Sequence, residues 1–189
     1  MLTRTSVPDT TVVDIDGLKQ RLRIDGDDAD DTLEALLRGE TERYEDFTGR
    51  VMLPTEFELR TTAWSTGIAI PAAPVRGVTA VTYLDADDTL QQLDDADWYF
   101  EASPSGGCIL FTDTFSSPAL SSLANPVRVA FAAGHDDPLS SGSGDDPAFA
   151  LRQSDVTNIL LMVQRIWDSD EAMDDEEMRR KMGHRKVFR

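Results

Sequence analysis

The strongest structural signal in the chain lies in residues 18–50, which read LKQRLRIDGDDADDTLEALLRGETERYEDFTGR. Apolar side chains recur there at the spacing of an amphipathic helix: Leu18, Leu22, Leu33, Leu37, Tyr44 and Phe47. Gly26 interrupts the pattern, and Gly49 stands where a helix commonly ends in a left-handed conformation. The pattern therefore predicts a short helix followed by a longer helix over residues 28–48.

Aspartates precede both predicted helices. An aspartate at a helix start accepts hydrogen bonds from backbone N–H groups that lack a partner within the helix. Asp14 or Asp16 is the predicted cap of the short helix, and Asp27 or Asp28 is the predicted cap of the longer one. Further carboxylates in a first turn interact favourably with the helix dipole.

Five aspartates in residues 25–31 also raise the question of a calcium site. An EF-hand loop that begins at Asp25 requires an oxygen ligand at its fifth position, glycine at its sixth and glutamate at its twelfth. These positions hold Ala29, Asp30 and Leu36, so the loop does not follow the EF-hand pattern. An acidic calcium- or small-ligand-binding module remains the alternative interpretation of the Asp-rich loops, and no metal or cofactor is predicted.

The middle of the chain changes to short runs rich in β-branched and aromatic residues, separated by Pro, Gly, Asp and Ser. Five or six strands at this spacing predict a small antiparallel sandwich or barrel. Residues 78–93 predict a hairpin, with Val78, Val81 and Tyr83 in one strand and the turn at residues 85–88.

A second helical pattern follows in the C-terminal part. Residues 135–146 have the composition of a flexible linker, and Asp146 with Pro147 is typical of a helix start. The predicted helix spans residues 147–169 and carries an apolar face wider than one small domain needs. Four of its residues are predicted to pack against other subunits: Val156, Leu160, Val163 and Trp167.

These patterns predict an α+β fold in which N-terminal helices and a long C-terminal helix form a helical bundle, with a small antiparallel β domain inserted. The predicted segments are an N-terminal helical part (1–50), the β-rich insert (51–134), the linker (135–146), the C-terminal bundle helix (147–169) and a charged tail (170–189).

The net charge of −17 argues against a protein that grips nucleic acid, because phosphate contacts require clustered Lys and Arg. Residues 168–177 hold seven acids, whereas residues 179–189 hold six of the 18 Lys and Arg and no acid. The tail is either a solvated end or a peptide that docks on a partner. Its predicted partner-binding residues are Arg179, Arg180, Lys181, Arg185, Lys186, Val187, Phe188 and Arg189.

Catalytic arrangements are not recognisable in the sequence. Cys108 lies in an apolar strand pattern, and the two histidines, His135 and His184, stand in no Ser/His/Asp or Cys/His arrangement. No glycine-rich phosphate loop with its lysine is present. The longest strongly apolar run, residues 159–163, is far too short to span a bilayer, and the N-terminus lacks the apolar core of a secretory signal. No enzymatic activity and no membrane partner are predicted.

Residues 18–54 resemble the N-terminal signature of the head–tail connector, or adaptor, proteins of long-tailed phages and gene transfer agents. The matching features are Leu-Arg-Ile-Asp at residues 22–25, the aspartate-rich turn at 26–31 and Thr-Gly-Arg at 48–50. The run IPAAPVRGVTAVTYLDADDTLQQLDDADWYF (70–100) is similar to the family's middle stretch. The strand, glycine turn and final helix at 127–168 are also similar, so the resemblance covers roughly residues 13–168.

The resemblance implies a structural protein of the virion neck, assembled in the host cytoplasm. Such adaptors form a ring of twelve copies under the portal of a DNA-filled capsid and join it to the tail-side stopper or terminator proteins. DNA then passes through an electronegative channel without specific binding, since like charge repels it from the wall. The predicted channel-facing acids are Asp27, Asp28, Asp30 and Asp31.

Overall fold

A computed structural model describes residues 1–140, 149–169 and 171–182. These residues belong to two units. The sheet unit comprises Met1–Val7 and Pro54–Gly134, and the helical unit comprises Pro8–Leu53 together with the described residues from His135 onward.

The predicted fold class is wrong. Strands and helices are mixed along the chain: eight strands form two antiparallel sheets, and the helices are α1 (Ile15–Leu22), α2 (Asp30–Thr48), α3 (Gln153–Ser169) and α4 (Asp175–Met182). The described residues contain no long helical bundle, because α2 spans 19 residues, α3 spans 17, and α1 and α4 span 8 each.

The helix that was predicted from residue 147 begins only at Gln153. The carbonyl of Phe149 accepts a hydrogen bond of 2.8 Å from the N–H of Asp136, which ties this segment to the start of the predicted linker. The first α3 turn closes instead on the carbonyl of Arg152, which accepts from the N–H groups of Asp155 and Val156. The predicted start residues Asp146 and Pro147 lie outside the described residues.

Local signals set the ends of α1 and the end of α2. The Asp14 carboxylate accepts a hydrogen bond from the N–H of Gly17, so the predicted cap at Asp14 is confirmed. Gly49 ends α2 with φ of 70°, a left-handed conformation that favours glycine, and its N–H donates to the carbonyl of Glu45.

The core of the helical unit is built from one face of each helix. Its fully buried side chains are Leu18, Leu33, Leu37, Tyr44, Met52, Ile159, Met162, Val163, Met178 and Met182. Burying side chains of this size stabilises the unit by about 1.5–3 kcal/mol each before the loss of conformational entropy is counted.

The sheet unit contains strands β1 (Leu2–Arg4), β2 (Thr55–Thr61), β3 (Gly67–Ile70), β4 (Val75–Leu84), β5 (Leu90–Gln92), β6 (Trp98–Ser103), β7 (Gly106–Phe111) and β8 (Val127–Ala133). One sheet has the order β1-β2-β8-β4-β5 and the other the order β3-β7-β6. Every second residue of β8 is buried, as period-two alternation requires. Phe131 of β8 stacks on Phe57 of β2 with ring centroids 5.4 Å apart.

The predicted hairpin is confirmed. Strands β4 and β5 pair antiparallel, with Leu84 opposite Leu90. The Asp85 carboxylate closes the turn by accepting the N–H groups of Asp87 and Thr89, each at 3.0 Å, and the side-chain amide of Gln91. These hydrogen bonds, that of Gln91 first, hold the pKa of Asp85 below its usual value.

Candidate functional site

The aspartate-rich loop before α2 is held by a lysine. Lys19 is 8% exposed, and its Nζ lies 2.6 Å from Asp27 and 2.9 Å from Asp30. Hydrogen bonds to these two carboxylates raise the pKa of Lys19, and the bond from Lys19 lowers the pKa of Asp27. The predicted cap at Asp27 or Asp28 is wrong: the N-cap residue is Ala29, which makes no side-chain cap bond, because Asp27 is committed to Lys19.

The remaining acids of this loop point their charge outward. Asp28 and Asp31 are exposed, and within the described part of the chain neither makes an ion pair or a side-chain hydrogen bond. Of the four predicted channel-facing acids, Asp27 and Asp30 share the single positive charge of Lys19, which offsets half of their combined charge. Asp28 and Asp31 have no basic partner within the described residues.

Metal-ligating groups are not assembled in the described ranges. No group of three or more His, Cys, Asp or Glu is arranged there to hold a metal ion. Likewise, no helix among residues 1–140, 149–169 and 171–182 is long and apolar enough to cross a membrane. Cys108 lies on β7, half-buried, with its Sγ 3.5 Å from the carbonyl of Ile109.

The four residues predicted for subunit packing lie on different surfaces of α3. Val156, Leu160 and Val163 are buried within the helical unit itself. Trp167 is 38% exposed, as is Leu161. A contact of these residues with another subunit stays a prediction, and the apolar surface that α3 leaves open for such a contact is at Leu161 and Trp167.

The start of the charged tail forms a helix that is anchored in the core. Met178 and Met182 of α4, together with Met173 before it, are buried in the helical unit. Arg43 of α2 donates a hydrogen bond to the carbonyl of Met173. The segment from Met173 to Met182 is therefore attached to α2 by apolar packing and by a guanidinium contact.

The charged face of α4 is paired along the helix. Lys181 lies 2.8 Å from Glu177, and Arg179 lies 3.8 Å from Asp175, both at the favourable i,i+4 spacing. The pKa of Glu177 is lowered, chiefly by the hydrogen bond from Lys181. The other predicted partner-binding residues, Arg185, Lys186, Val187, Phe188 and Arg189, lie outside the described residues.

Two shallow grooves flank α3 and α4. The larger, of about 580 Å³, is lined by Leu161, Gln164, Arg165, Asp168, Ser169, Met173 and Lys181. The smaller, of about 390 Å³, is lined by Arg165, Asp174, Glu176, Glu177 and Arg180. Alternating charges line both, which suits contact with another protein surface better than enclosure of a small substrate.

Buried polar contacts that sequence patterns did not reveal join α2 to the start of α3. The Tyr44 hydroxyl donates to Asp155 Oδ1 at 2.8 Å and accepts from the Asn158 amide at 3.3 Å. Asp155 is completely buried. These residues are 111 positions apart and more, so no local spacing could have paired them.

His135 is a second buried polar centre. It is 2% exposed, with Nδ1 3.2 Å from the carbonyl of Phe149 and Nε2 3.4 Å from a guanidinium nitrogen of Arg50. A proton on Nδ1 and a lone pair on Nε2 satisfy both neighbours, which is the neutral form of the ring. Burial, and next the charge of Arg50, lower the pKa of His135.

Known proteins resemble this chain in structure but not in sequence. No family model matches the chain, and no curated protein matches it. A chain from the neck of an empty GTA particle, computed with C6 symmetry, matches with a TM-score of 0.75 and 18% identity, over 100% of this chain and 96% of that chain.

Two further solved structures match over the same shares of both chains. A chain from the virion of a native gene transfer agent (GTA) particle has a TM-score of 0.72 and 19% identity. A chain from the neck of a native GTA particle, computed with C12 symmetry, has a TM-score of 0.70 and 19% identity. At these identities the likeness establishes the fold: the chain has, over its full length, the fold of chains found in GTA neck and virion structures.

Proposed function

We propose that this chain is a structural head–tail connector, an adaptor that assembles as a ring under the portal of a gene transfer agent or phage particle and joins the DNA-filled capsid to the tail. One observation carries the proposal: the fold matches a neck chain over 100% of this chain and 96% of that one, with a TM-score of 0.75.

A ring of twelve copies is the proposed assembly. The symmetries named for the neck structures support it: C12 gives twelve equivalent positions around an axis, and C6 accommodates twelve copies as six pairs. The proposed contacts between copies include the two exposed apolar side chains of α3, Trp167 and Leu161. The grooves beside α3 and α4 offer mixed charge for the rim of such contacts.

The proposed channel wall is electronegative. With a charge of −17 on each copy, a ring repels the phosphate backbone of passing DNA. Asp28 and Asp31 are the best candidates among the predicted channel-facing acids, because Asp27 and Asp30 are paired with Lys19, which offsets one of their two charges.

The portal and a tail-side stopper or terminator are the proposed partners. The basic end of the chain, residues 179–189, is the proposed docking peptide, and its partner is either the portal or a neighbouring copy in the ring. Ion pairs at a protein rim are screened by salt, so this contact is expected to weaken as ionic strength rises.

Deletion of the gene for this chain from its particle-producing host tests the proposal. Particles are expected to fill with DNA and to lack stably attached tails by electron microscopy, and a plasmid copy of the wild-type chain is expected to restore the tails. Normal tails on particles without the chain would contradict the connector role.

A further inference from the structure

Exposed carboxylates and exposed leucines lie together at the turn of the β4–β5 hairpin. We define the hairpin surface as Asp87, Asp88, Leu90 and Leu123. Leu90 and Leu123 are 54% and 53% exposed, so both offer apolar area to a partner. The N–H of Ser121 donates to the carbonyl of Leu84 at 2.9 Å, and the Ser121 hydroxyl donates to Asp88, so the loop that carries Leu123 is fixed against the hairpin.

The carboxylates of Asp87 and Asp88 accept fewer hydrogen bonds from the hairpin than the carboxylate of Asp85 does. The Asp85 carboxylate accepts hydrogen bonds from Asp87, Thr89 and Gln91 within the hairpin. Asp87 is exposed, and its carboxylate has no partner within the described residues. Among the described residues, Asp88 accepts a side-chain hydrogen bond from the Ser121 hydroxyl, which is neutral, and has no basic partner. Both carboxylates therefore present negative charge beside the two leucines.

The residues that flank the hairpin surface in the sequence are also acidic. Residues 77–127 contain no Lys or Arg and eight acids: Asp85, Asp87, Asp88, Asp94, Asp95, Asp97, Glu101 and Asp113. The sheet pairing places one basic residue beside this stretch, Arg128 of β8, opposite Thr82. At the turn itself the charges are those of Asp85, Asp87 and Asp88, so a basic peptide that approaches the turn is attracted.

The end of the chain has the complementary composition. Residues 183–189 read GHRKVFR, with three Lys or Arg, no acid, and two adjacent apolar residues, Val187 and Phe188. The hairpin surface combines carboxylates with exposed leucines, and residues 183–189 combine basic side chains with Val187 and Phe188. The two are therefore complementary in charge and alike in apolar content.

We propose that residues 183–189 of one copy dock on the hairpin surface of a second copy, with Val187 and Phe188 against Leu90 and Leu123 and the basic residues beside Asp87 and Asp88. The proposal rests on the proposed ring, because it names a contact between its copies. A heterologous contact of this kind closes into a ring when the rotation between copies allows it.

A peptide titration tests the surface. A labelled GHRKVFR peptide is titrated into the full chain and followed by fluorescence anisotropy and by amide shifts of Leu90 and Leu123. The substitutions Asp87→Asn and Asp88→Asn together are expected to weaken binding about three- to tenfold. Asn keeps the oxygen that accepts from Ser121 and tolerates the φ of 61° at Asp88.

A matched control removes the same charge elsewhere. Asp25→Asn with Asp28→Asn takes two exposed carboxylates from the loop before α2 and is expected to leave peptide affinity within about twofold, since distant exposed charges are screened. Equal weakening by both pairs, or no peptide binding, would overturn the proposal.

A mixing experiment tests whether the tail reaches a second copy. The hairpin variant (Leu90→Ser, Leu123→Ser) and the tail variant (Val187→Ser, Phe188→Ser) are each expected to stay monomeric by sedimentation velocity at millimolar concentration and low salt. Their mixture is expected to form dimers and nothing larger, because only one intact pair of surfaces remains.

Two results of mixing would overturn the contact between copies. One is a mixture that stays monomeric while the wild-type chain self-associates. The other is a wild-type chain that stays monomeric and binds the peptide only when its own residues 183–189 are deleted, which would place the tail on its own copy. Neither result depends on particle assembly, so failure here is distinguishable from failure of the connector role.

Discussion

Tyr44 joins two distant helices through a single buried hydroxyl. It donates to the fully buried Asp155 on α3, and Asn158 donates to it in turn. A buried carboxylate oxygen that loses its donor cannot recover the bond from water. The hydroxyl therefore contributes to the stability of the helical unit in addition to the area that the ring buries.

Tyr44→Phe is expected to lower the free energy of unfolding by about 1–3 kcal/mol in urea denaturation. The ring still fills its site, so the loss reports the hydroxyl. Tyr99→Phe, at a position 52% exposed, is the matched control and is expected to change stability by less than about 0.5 kcal/mol. Equal stability of the Tyr44 variant and the wild type would contradict this account.

His135 makes stability depend on pH. Its pKa in the folded chain lies below the usual value of 6.5, so as pH falls the unfolded chain takes up the proton first. Stability is therefore complete above about pH 6.5 and is lost as pH falls from there toward the folded pKa. For one proton the slope cannot exceed about 1.4 kcal/mol per pH unit.

His135→Asn retains a donor for the Phe149 carbonyl and has no titrating ring. Urea denaturation between pH 7.5 and 5, a window of about one unit above and below the ordinary His pKa, is expected to show a shallower decline for this variant. Parallel curves for the variant and the wild type would show that the ring does not stay neutral.

Lys19 sets the ionisation of Asp27. In Lys19→Met the pKa of Asp27 is expected to rise toward its ordinary value, because its largest lowering cause is the hydrogen bond from Lys19. Carboxyl carbon shifts followed through a pH titration measure this. Arg21→Met removes an equal charge from the exposed side of the same helix and is expected to leave Asp27 unchanged; an equal rise in both variants would contradict the direct contact.

Individual elements differ in how far the sequence reveals them. The β4–β5 hairpin and the end of α2 follow from local chemistry, namely the Asp85 turn and the left-handed Gly49. The start of α2 does not, because Asp27 is claimed by Lys19 on another helix. Strand β1 is only three residues long and exists through its pairing with β2, and α4 exists through its methionines in the core.

Composition concealed α4. Residues 168–177 hold seven acids, and the basic run follows directly, so the segment reads as a solvated tail. The spacing of Met178 and Met182 at i,i+4 does indicate a narrow apolar stripe on a helix. Two residues are too few to predict a buried helix unless the core that covers them is known.

Met178→Ser is expected to undock α4, since it removes a 1% exposed side chain and leaves a hydroxyl in an apolar site. Hydrogen exchange is expected to show protection lost over residues 176–182 and kept in α2. Arg179→Ser, on the exposed side of the same helix, is expected to retain protection. Protection that survives in the Met178 variant would mean that the methionines do not hold the helix.

The chain is acidic as a whole, and its fold matches a neck chain over 100% of this chain and 96% of that one. Its described residues hold no group of three or more His, Cys, Asp or Glu arranged to bind a metal ion. Sequence motifs pointed to a connector, although they misjudged the architecture as a helical bundle. Periodicity identifies which residues face a core, but it does not reveal which elements share that core, because that depends on long-range pairing such as β2 with β8.

A reconstruction of the neck of the particle that encodes this chain is the most direct test of the connector account. Twelve copies of the fold between portal and tail, with Asp28 and Asp31 lining the DNA path, are the expected result. A neck whose density at that level is filled by another protein, with this chain absent, would contradict it.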